Sequence, residues 1–367
     1  MSTGTLDLAE LDMSSLARLL DRSDPAGVLS IFADVAPGAR GTEIDLRNRL
    51  TELRRRVDPA TSDALAGLEP ELRALADPAG RGRGRALFVP LSRDAPMRFT
   101  TNLRLPNRVV LDERPFVHPL LECLERRRPA GVVLLSAELA EILEWRDGQA
   151  LVLAHVEAQA EPPREAPPPR DRRARDRRRR FVEQVASEVR EIAARRGWDR
   201  LVVSGGDALT RPFVAALPAP LAEHAIRDPR HLIDVETTTL TDMVGDLLER
   251  QQAEWDLRLT QAIRDAAMAG SGGALGLSEV AAALNDARVA HLVYDPEIRY
   301  AGALGEDGRI VIPPEEHPLG VPVEPEPRLT ERLLERCLAT GARITPVRGE
   351  AAALLAEMGG VAARLRW

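Results

Sequence analysis

The chain has 367 residues, 44% hydrophobic, 29% charged and only 3% aromatic, with a formal net charge of −7. That length predicts two or three domains, and the apolar content is ample for real cores, which excludes a disordered chain. No apolar run reaches the roughly 18 residues of a membrane span. The start MSTGTLDLAELD is acidic and polar, unlike a secretory signal, and Cys123 and Cys337 stand outside any ligand-type spacing. The expectation is a cytoplasmic protein with no membrane partner.

The charge is unevenly spread. All 50 basic residues are arginine, which excludes Schiff-base chemistry and lysine-dependent phosphate loops. Residues 164–180 hold nine arginines against Glu165, Asp171 and Asp176, a local +6, so the remainder carries −13. An acidic body with one concentrated basic segment points to a local anionic contact.

Short β-rich runs alternate with amphipathic stretches, which predicts an α/β class with three parts. Residues 1–129 open with a helical lead-in at Leu11–Leu20 and a buried strand at Gly27–Asp34. Helices over Thr42–Val57 and Thr61–Leu75 follow, with Thr42 and Asp58-Pro59 as start signals. Strands are expected near Ala86–Leu91, Met97–Leu103 and Arg108–Leu111, then a helix over Pro115–Arg127. Residues 130–238 start with strand Gly131–Leu135, a short helical or extended segment to Trp145, and a hairpin turn at Asp147-Gly148 into strand Gln149–Ala158. Five prolines between Pro162 and Pro169 then exclude helix and central strand. The arginine run leads directly into a helix with Phe181, Val185, Val189 and Ile192 on one face, followed by strand Arg200–Ser204 and helix Ala208–Leu217. Residues 239–367 begin with a helix over Leu240–Met268 and a glycine-rich hinge. A helix from Ser278 to Asn285 comes next, with strands at Val289–Tyr294, Ile298–Ala303 and Ile310–Ile312. The last elements are helix Leu329–Leu338 and strands Arg343–Pro346 and Val361–Leu365.

The basic loop 161–180 is the leading candidate site. Arginine pairs bidentately with phosphate, and each neutralised phosphate releases counterion. Before Phe181 the apolar stripe almost vanishes, leaving only Ala174, so the first two helical turns should stand clear of the domain. The structural alternative is a solvated charge run, or a tail answering the acidic body. Arg164, Arg170, Arg172, Arg173, Arg175, Arg177, Arg178, Arg179 and Arg180 are therefore the expected RNA-binding residues. Two glycine turns, Ser204-Gly-Gly-Asp207 and Gly270–Gly276, lack the spacing of a phosphate-binding fingerprint and read as a tight connection and a hinge. His118, His155, His224, His231, His291 and His317 show no metal-ligand spacing, no nucleophile elbow is present, and no cofactor is expected. Glu306-Asp307 and Glu315-Glu316 read as solvated carboxylates.

The segments "VLSIFADV", "RALFVPLS", "LPNRVVLDERPFVHPLLECLERRRPAGVVLLS", "LVVSGGDALTRPFVAALP" and "GLSEVAAALNDARVAHLVYD", in that order, resemble the archaeo-eukaryotic release factor and Pelota superfamily, in its bacterial branch. The resemblance covers residues 28–365. It implies a mixed α/β N-terminal domain, an RNase H-like central domain and an α/β/α C-terminal domain similar to kink-turn-binding ribosomal proteins. In the true release factors a Gly-Gly-Gln tip, carried on the loop before the long central helix, positions water on the peptidyl-tRNA ester. Here the equivalent stretch Glu161–Arg180 has neither glycine nor glutamine; Gln184 lies downstream and Gly148-Gln149 belongs to the hairpin. In this the chain is similar to Pelota and to Balon-like, actinobacterial-type hibernation factors, which occupy the ribosomal A site without that tip.

The resemblance thus implies a non-hydrolytic, monomeric translation factor for idle or stalled 70S ribosomes, in hibernation or rescue. Its basic segment would lie on rRNA, its N-terminal domain at the decoding centre or small subunit, and its C-terminal domain against an elongation-type GTPase. Two other readings stay open: a peptidyl-tRNA hydrolase using Glu161, Glu165, Asp171 or Asp176, and a ribosome-independent RNA-binding or protein-interaction module.

Overall fold

A computed structural model of the chain describes residues 5–7, 16, 19, 22–92, 96–159, 170–314 and 317–367. The chain divides into two compact units, one formed by Met1–Glu125 with Ala253–Trp367 and the other by Arg126–Gln252.

The N-terminal portion of the first unit is a five-stranded sheet. It comprises β1 (Thr5–Asp7), β2 (Val28–Asp34), β3 (Gly84–Pro90), β4 (Met97–Thr101) and β5 (Arg108–Asp112), in the order β1-β4-β3-β2-β5. Strand β2 is buried through its first six residues, as its apolar run, interrupted only by Ser30, requires when both faces are covered. One face packs Leu29, Ile31 and Leu87 against Leu46 and Leu50 of α1 (Thr42–Arg54), Leu65 of α2 (Pro59–Ala66) and Leu72 of α3 (Glu69–Ala76). On the other, Phe32, Phe88 and Phe99 meet edge to face. Asp58 caps α2 as read, accepting from the Ala60 and Thr61 amides, whereas Thr42 is already helical and its hydroxyl donates to the Asp34 carbonyl. The helix expected over Thr61–Leu75 is two helices, because Pro70 near the start of α3 has no amide to donate and its ring clashes with the preceding turn. The portion ends with α4 (His118–Arg126). Of the lead-in at Leu11–Leu20, Leu16 and Leu19 are helical and buried; the rest lies outside the described residues.

The second unit contains β6 (Ala130–Leu135), β7 (Leu139–Arg146), β8 (Gln149–Glu157), α5 (Arg170–Arg196), β9 (Arg200–Ser204), α6 (Asp207–Ala215), α7 (Ala219–Glu223) and β10 (Ala225–Asp228). The sheet order is β10-β9-β6-β7-β8; β6, β7 and β8 form an antiparallel meander, and β9 and β10 add parallel to β6. This is the RNase H-like arrangement implied for the central domain. The segment before Trp145 is extended, paired with β6 along its length. Asp147 and Gly148 both have positive φ, 52° and 70°, as the two-residue hairpin turn demands.

Helix α8 (Thr237–Met268) carries the chain from the second unit into the first. There β11 (Gly273–Leu275), α9 (Gly276–Asn285), β12 (Val289–Tyr294), β13 (Gly302–Gly305), β14 (Ile310–Val311), β15 (Val323–Glu326), α10 (Leu329–Ala339), β16 (Arg343–Pro346), α11 (Gly349–Ala356) and β17 (Val361–Leu365) follow. They make a mixed sheet of order β11-β17-β12-β16 and a small sheet of order β14-β13-β15. The expected hinge at Gly270–Gly276 is in part strand β11, paired antiparallel with β17. Gly273 is needed there because a Cβ would fall 2.5 Å from the Ala267 amide nitrogen of α8.

The core of the second unit depends on α5. Phe181, Val185, Val189 and Ile192 are buried as read, packed with Val133, Ile142, Trp198, Val203 and Phe213. Replacing Phe181 with Ala should cost about 3–5 kcal/mol. In urea titrations followed by tryptophan fluorescence, the midpoint of the transition that reports Trp145 and Trp198 should fall accordingly; an unchanged midpoint would contradict this packing.

Candidate nucleic-acid interface

The basic segment is helix from Arg170 onward, as expected for the turns before Phe181, so the loop label over 161–180 does not hold for 170–180; residues 161–169 lie outside the described residues. Arginine is a good helix former and no proline follows Pro169 within the segment, so the helix propagates backward from its anchored half. The core face ends at Phe181. Three and seven residues earlier, the same face carries Arg178 and Ala174, both exposed. At about 1.5 Å per residue, the first eleven residues of α5 extend roughly 16 Å past the last buried residue of that face.

Arg175, Arg177, Arg178, Arg179 and Arg180 are exposed, and Arg173 is half-buried. Arg170 and Arg172 are helical, and Arg164 lies outside the described residues. At 100° per residue, Arg175, Arg177, Arg178, Arg179 and Arg180 leave no gap wider than about 100° around the axis, so the extension is basic on every side rather than along one stripe. One ion pair here, between Arg179 and Glu183, spans 3.5 Å and is exposed at both ends, which makes it weak.

Eight arginines against Asp171 and Asp176 leave +6 over residues 170–180. This charge sits at the helix N-terminus, where the macrodipole is already positive and anions are preferred. The arrangement works against the helix's own stability. It is suited to a polyanion that threads past, since guanidinium groups on all faces pair with phosphates whichever way the strand runs.

The other sequence candidates resolve into structure. The Ser204 hydroxyl donates to the Arg230 carbonyl at 2.6 Å and accepts from the Leu232 amide. Gly205, at φ 135°, has no room for a Cβ beside the Leu135 carbonyl. Asp207 pairs with Arg211 and Arg227, so this turn is a packed connection. His291 bonds to Thr345 at 2.8 Å, and burial first, then Arg343 and Arg364, push it down to about 4. His317 leans on Asp307, and His155 lies 3.5 Å from Glu141. No cluster of three metal-ligating side chains occurs among the described residues. Gln184 is exposed on the formed helix, and Glu161, Glu165, Glu315 and Glu316 lie outside the described residues. Sequence reasoning missed a buried grouping in the first unit, His118 with Tyr294 and Glu331. Only the length of the intervening chain hides it, since each residue taken alone is unremarked.

Residues 115–252 match the family model described as bacterial archaeo-eukaryotic release factor family 10. The match contains the whole RNase H-like sheet and α5. No curated protein matches the chain. Among solved structures, the archaeal translation termination factor aRF1 aligns at 18% identity over 99% of each chain, with a TM-score of 0.28. Archaeoglobus fulgidus Pelota aligns at 15% identity over 77% of this chain and 79% of its own, with a TM-score of 0.37. An archaeal Pelota, in a model of it bound to the ribosome with ABCE1, aligns at 14% identity over 97% and 94%, with a TM-score of 0.43. No helix among the described residues is long and apolar enough to cross a membrane.

If the N-terminal turns of α5 are helical without core packing, Ala174→Pro should unwind them locally, at about 3 kcal/mol of helix free energy. Hydrogen exchange should lose protection only before Phe181, with residues 185–196 unchanged. Loss of protection through the whole helix would place the extension inside the cooperative core.

Proposed function

We propose, for a chain whose central segment matches the bacterial branch of the archaeo-eukaryotic release factor superfamily, a role as a ribosome-binding translation factor that occupies the A site of idle or stalled 70S ribosomes without hydrolysing the peptidyl-tRNA ester. The observation that carries this reading is the arginine-ringed start of α5, at the end of the RNase H-like sheet where the superfamily's ribosome-entering loop leads into the long helix. In this reading Arg164, Arg170, Arg172, Arg173, Arg175 and Arg177–Arg180 neutralise rRNA phosphates. The proline-rich stretch 162–169 limits the conformational entropy lost on docking. The factor acts as a cytoplasmic monomer in hibernation or rescue.

Three domains, 1–129, 130–238 and 239–367, divide the work: the first toward the decoding centre, the second toward the peptidyl-transferase centre, the third toward an elongation-type GTPase. Of the solved proteins to which the chain is similar, archaeal Pelota is described bound to the ribosome with ABCE1, and yeast Dom34, a translation termination-like factor, interacts with Hbs1. The lack of glycine and glutamine in 161–180 removes the pattern that places water on the ester. The nearby carboxylates of Asp171 and Asp176 are poor substitutes, since an anion among rRNA phosphates is electrostatically disfavoured.

Co-sedimentation with vacant 70S ribosomes across a salt series tests this. Binding should fall steeply with salt. Changing Arg175 and Arg177–Arg180 to Gln should weaken it about tenfold or more and flatten the log–log salt slope by about 0.7–0.9 for each phosphate left unneutralised. Absence of binding at low salt would overturn the proposal. Ester hydrolysis abolished by Asp171→Asn and Asp176→Asn would support the hydrolase instead.

A further inference from the structure

In the second unit, β8 stands at one end of the sheet order, and among the described residues no strand pairs with its outer edge. The strand is apolar and open: Leu151 is 59% and Val152 43% exposed. The Ala158 amide donates to the Glu138 carbonyl, so along the antiparallel ladder Val156 and Ala154 also bond to β7. The backbone groups of His155 and Glu157 therefore point outward. A register shift leaves Leu153 without a partner, and beyond this bulge the backbone of Ala150 points outward as well. Beside the edge, Leu153 with Glu188, Ile192, Arg195 and Arg196 of α5 lines an open groove of about 510 Å³. A long apolar strand edge is a template for another strand, and within β8 only Gln149, His155 and Glu157 are polar.

The charges in the groove select the strand that fits. Glu188 and Arg195 lie seven residues apart along α5, about 10.5 Å on the helix axis, with Ile192 between them. Neither makes an ion pair among the described residues, whereas Arg196 lies 3.8 Å from the buried Glu144. A two-fold axis through the middle of the groove reverses their order, so that Glu188 of each copy faces Arg195 of the other. The same axis, near Leu153, sets the two strands antiparallel, with Ala150 of each copy opposite Glu157 of the other. Leu151 then meets Val156 of the second copy, and no two like charges stand directly opposed. We propose that the free protein forms a two-fold dimer through the edge of β8 and the adjoining face of α5.

The basic start of α5 does not oppose this pairing. The helix lies against the sheet face, so an axis perpendicular to the sheet makes the two copies of α5 run in opposite senses. Arg175 is about 25 Å from the centre of the groove along the helix, which sets the two basic ends about 50 Å apart. Salt screens charges over about 10 Å, so the two ends do not repel each other. The patch is small, one strand edge and two turns of helix, and its dissociation constant should be on the order of 10 μM. A dimer this weak gives way wherever a single copy is taken up by a tighter site, and so is compatible with a factor that acts as a monomer.

Sedimentation equilibrium of the full chain from about 1 to about 200 μM tests the interface, with a monomer–dimer equilibrium as the expected result. Glu188→Arg and Arg195→Glu, at a half-buried and an exposed position, should each weaken the dimer about tenfold or more. Each change sets like charges face to face twice, once on either side of the axis. The double variant should regain the dimer. An equimolar mixture of the two single variants should form the heterodimer, because every facing pair is then opposite in sign. Leu151→Lys, an exposed strand position, should weaken the dimer without touching α5, and so serves where a helix variant loses its circular dichroism. A chain that stays monomeric throughout, or a dimer indifferent to all three substitutions, would overturn the interface. Single variants that do not pair with each other would overturn the two-fold arrangement. Changing Arg175 and Arg177–Arg180 to Gln should leave the dimer intact, so this interface stands or falls apart from the ribosome.

Discussion

Eight arginines at the start of a helix repel one another and the helix dipole, and such a segment stays ordered only if something else holds it. Here the anchor is the stripe from Phe181 to Ala193, pressed on a sheet whose central strands are buried on both faces. Helix propagation past a fixed nucleus is far cheaper than starting a helix anew. The anchored half therefore extends order into a half that could not fold alone. Much else in the second unit serves that anchor. Trp198, just past the helix, fills the space over Gly131 and donates to the buried Glu144 carboxylate at 3.0 Å, which is also approached by Arg146 and Arg196.

Arginine as the only basic residue shapes the first unit too. Arg114–Glu335, Arg328–Asp112, Arg348–Glu122 and Arg108–Glu297 each join the N-terminal portion to the C-terminal one across the sequence. Exposed pairs of this kind add little individually. Those with a largely buried carboxylate, as at Asp112 and Glu122, gain from lower dielectric and from the geometry of the guanidinium fork.

Most regular elements are legible in the chain because burial writes a period into it. The runs at Val289–Tyr294, Arg343–Pro346 and Val361–Leu365 read as strands and are strands over those residues. The four-residue β10 and the proline-containing, exposed β15 escape such reading, because backbone pairing to a neighbour, not side-chain burial, defines them. Helix α11 hides in an alanine-rich stretch with no start signal of its own, its N-cap lacking a side-chain bond. Pro70 marked a break that the apolar spacing of Thr61–Leu75 concealed.

The sequence by itself determined the α/β class, the face of α5 that enters the core, and the concentration of positive charge just before it. These are local properties: hydrophobic period, helix propensity and charge density need no distant partner to exist. The tertiary structure alone decided that helical order runs back as far as Arg170, eleven residues before the first core residue Phe181, because that depends on the anchored half that propagates it. It alone brought His118, Tyr294, Arg299 and Glu331 together, because residues from α4, β12, the loop after it and α10 meet only when two portions of chain more than a hundred residues apart pack as one unit.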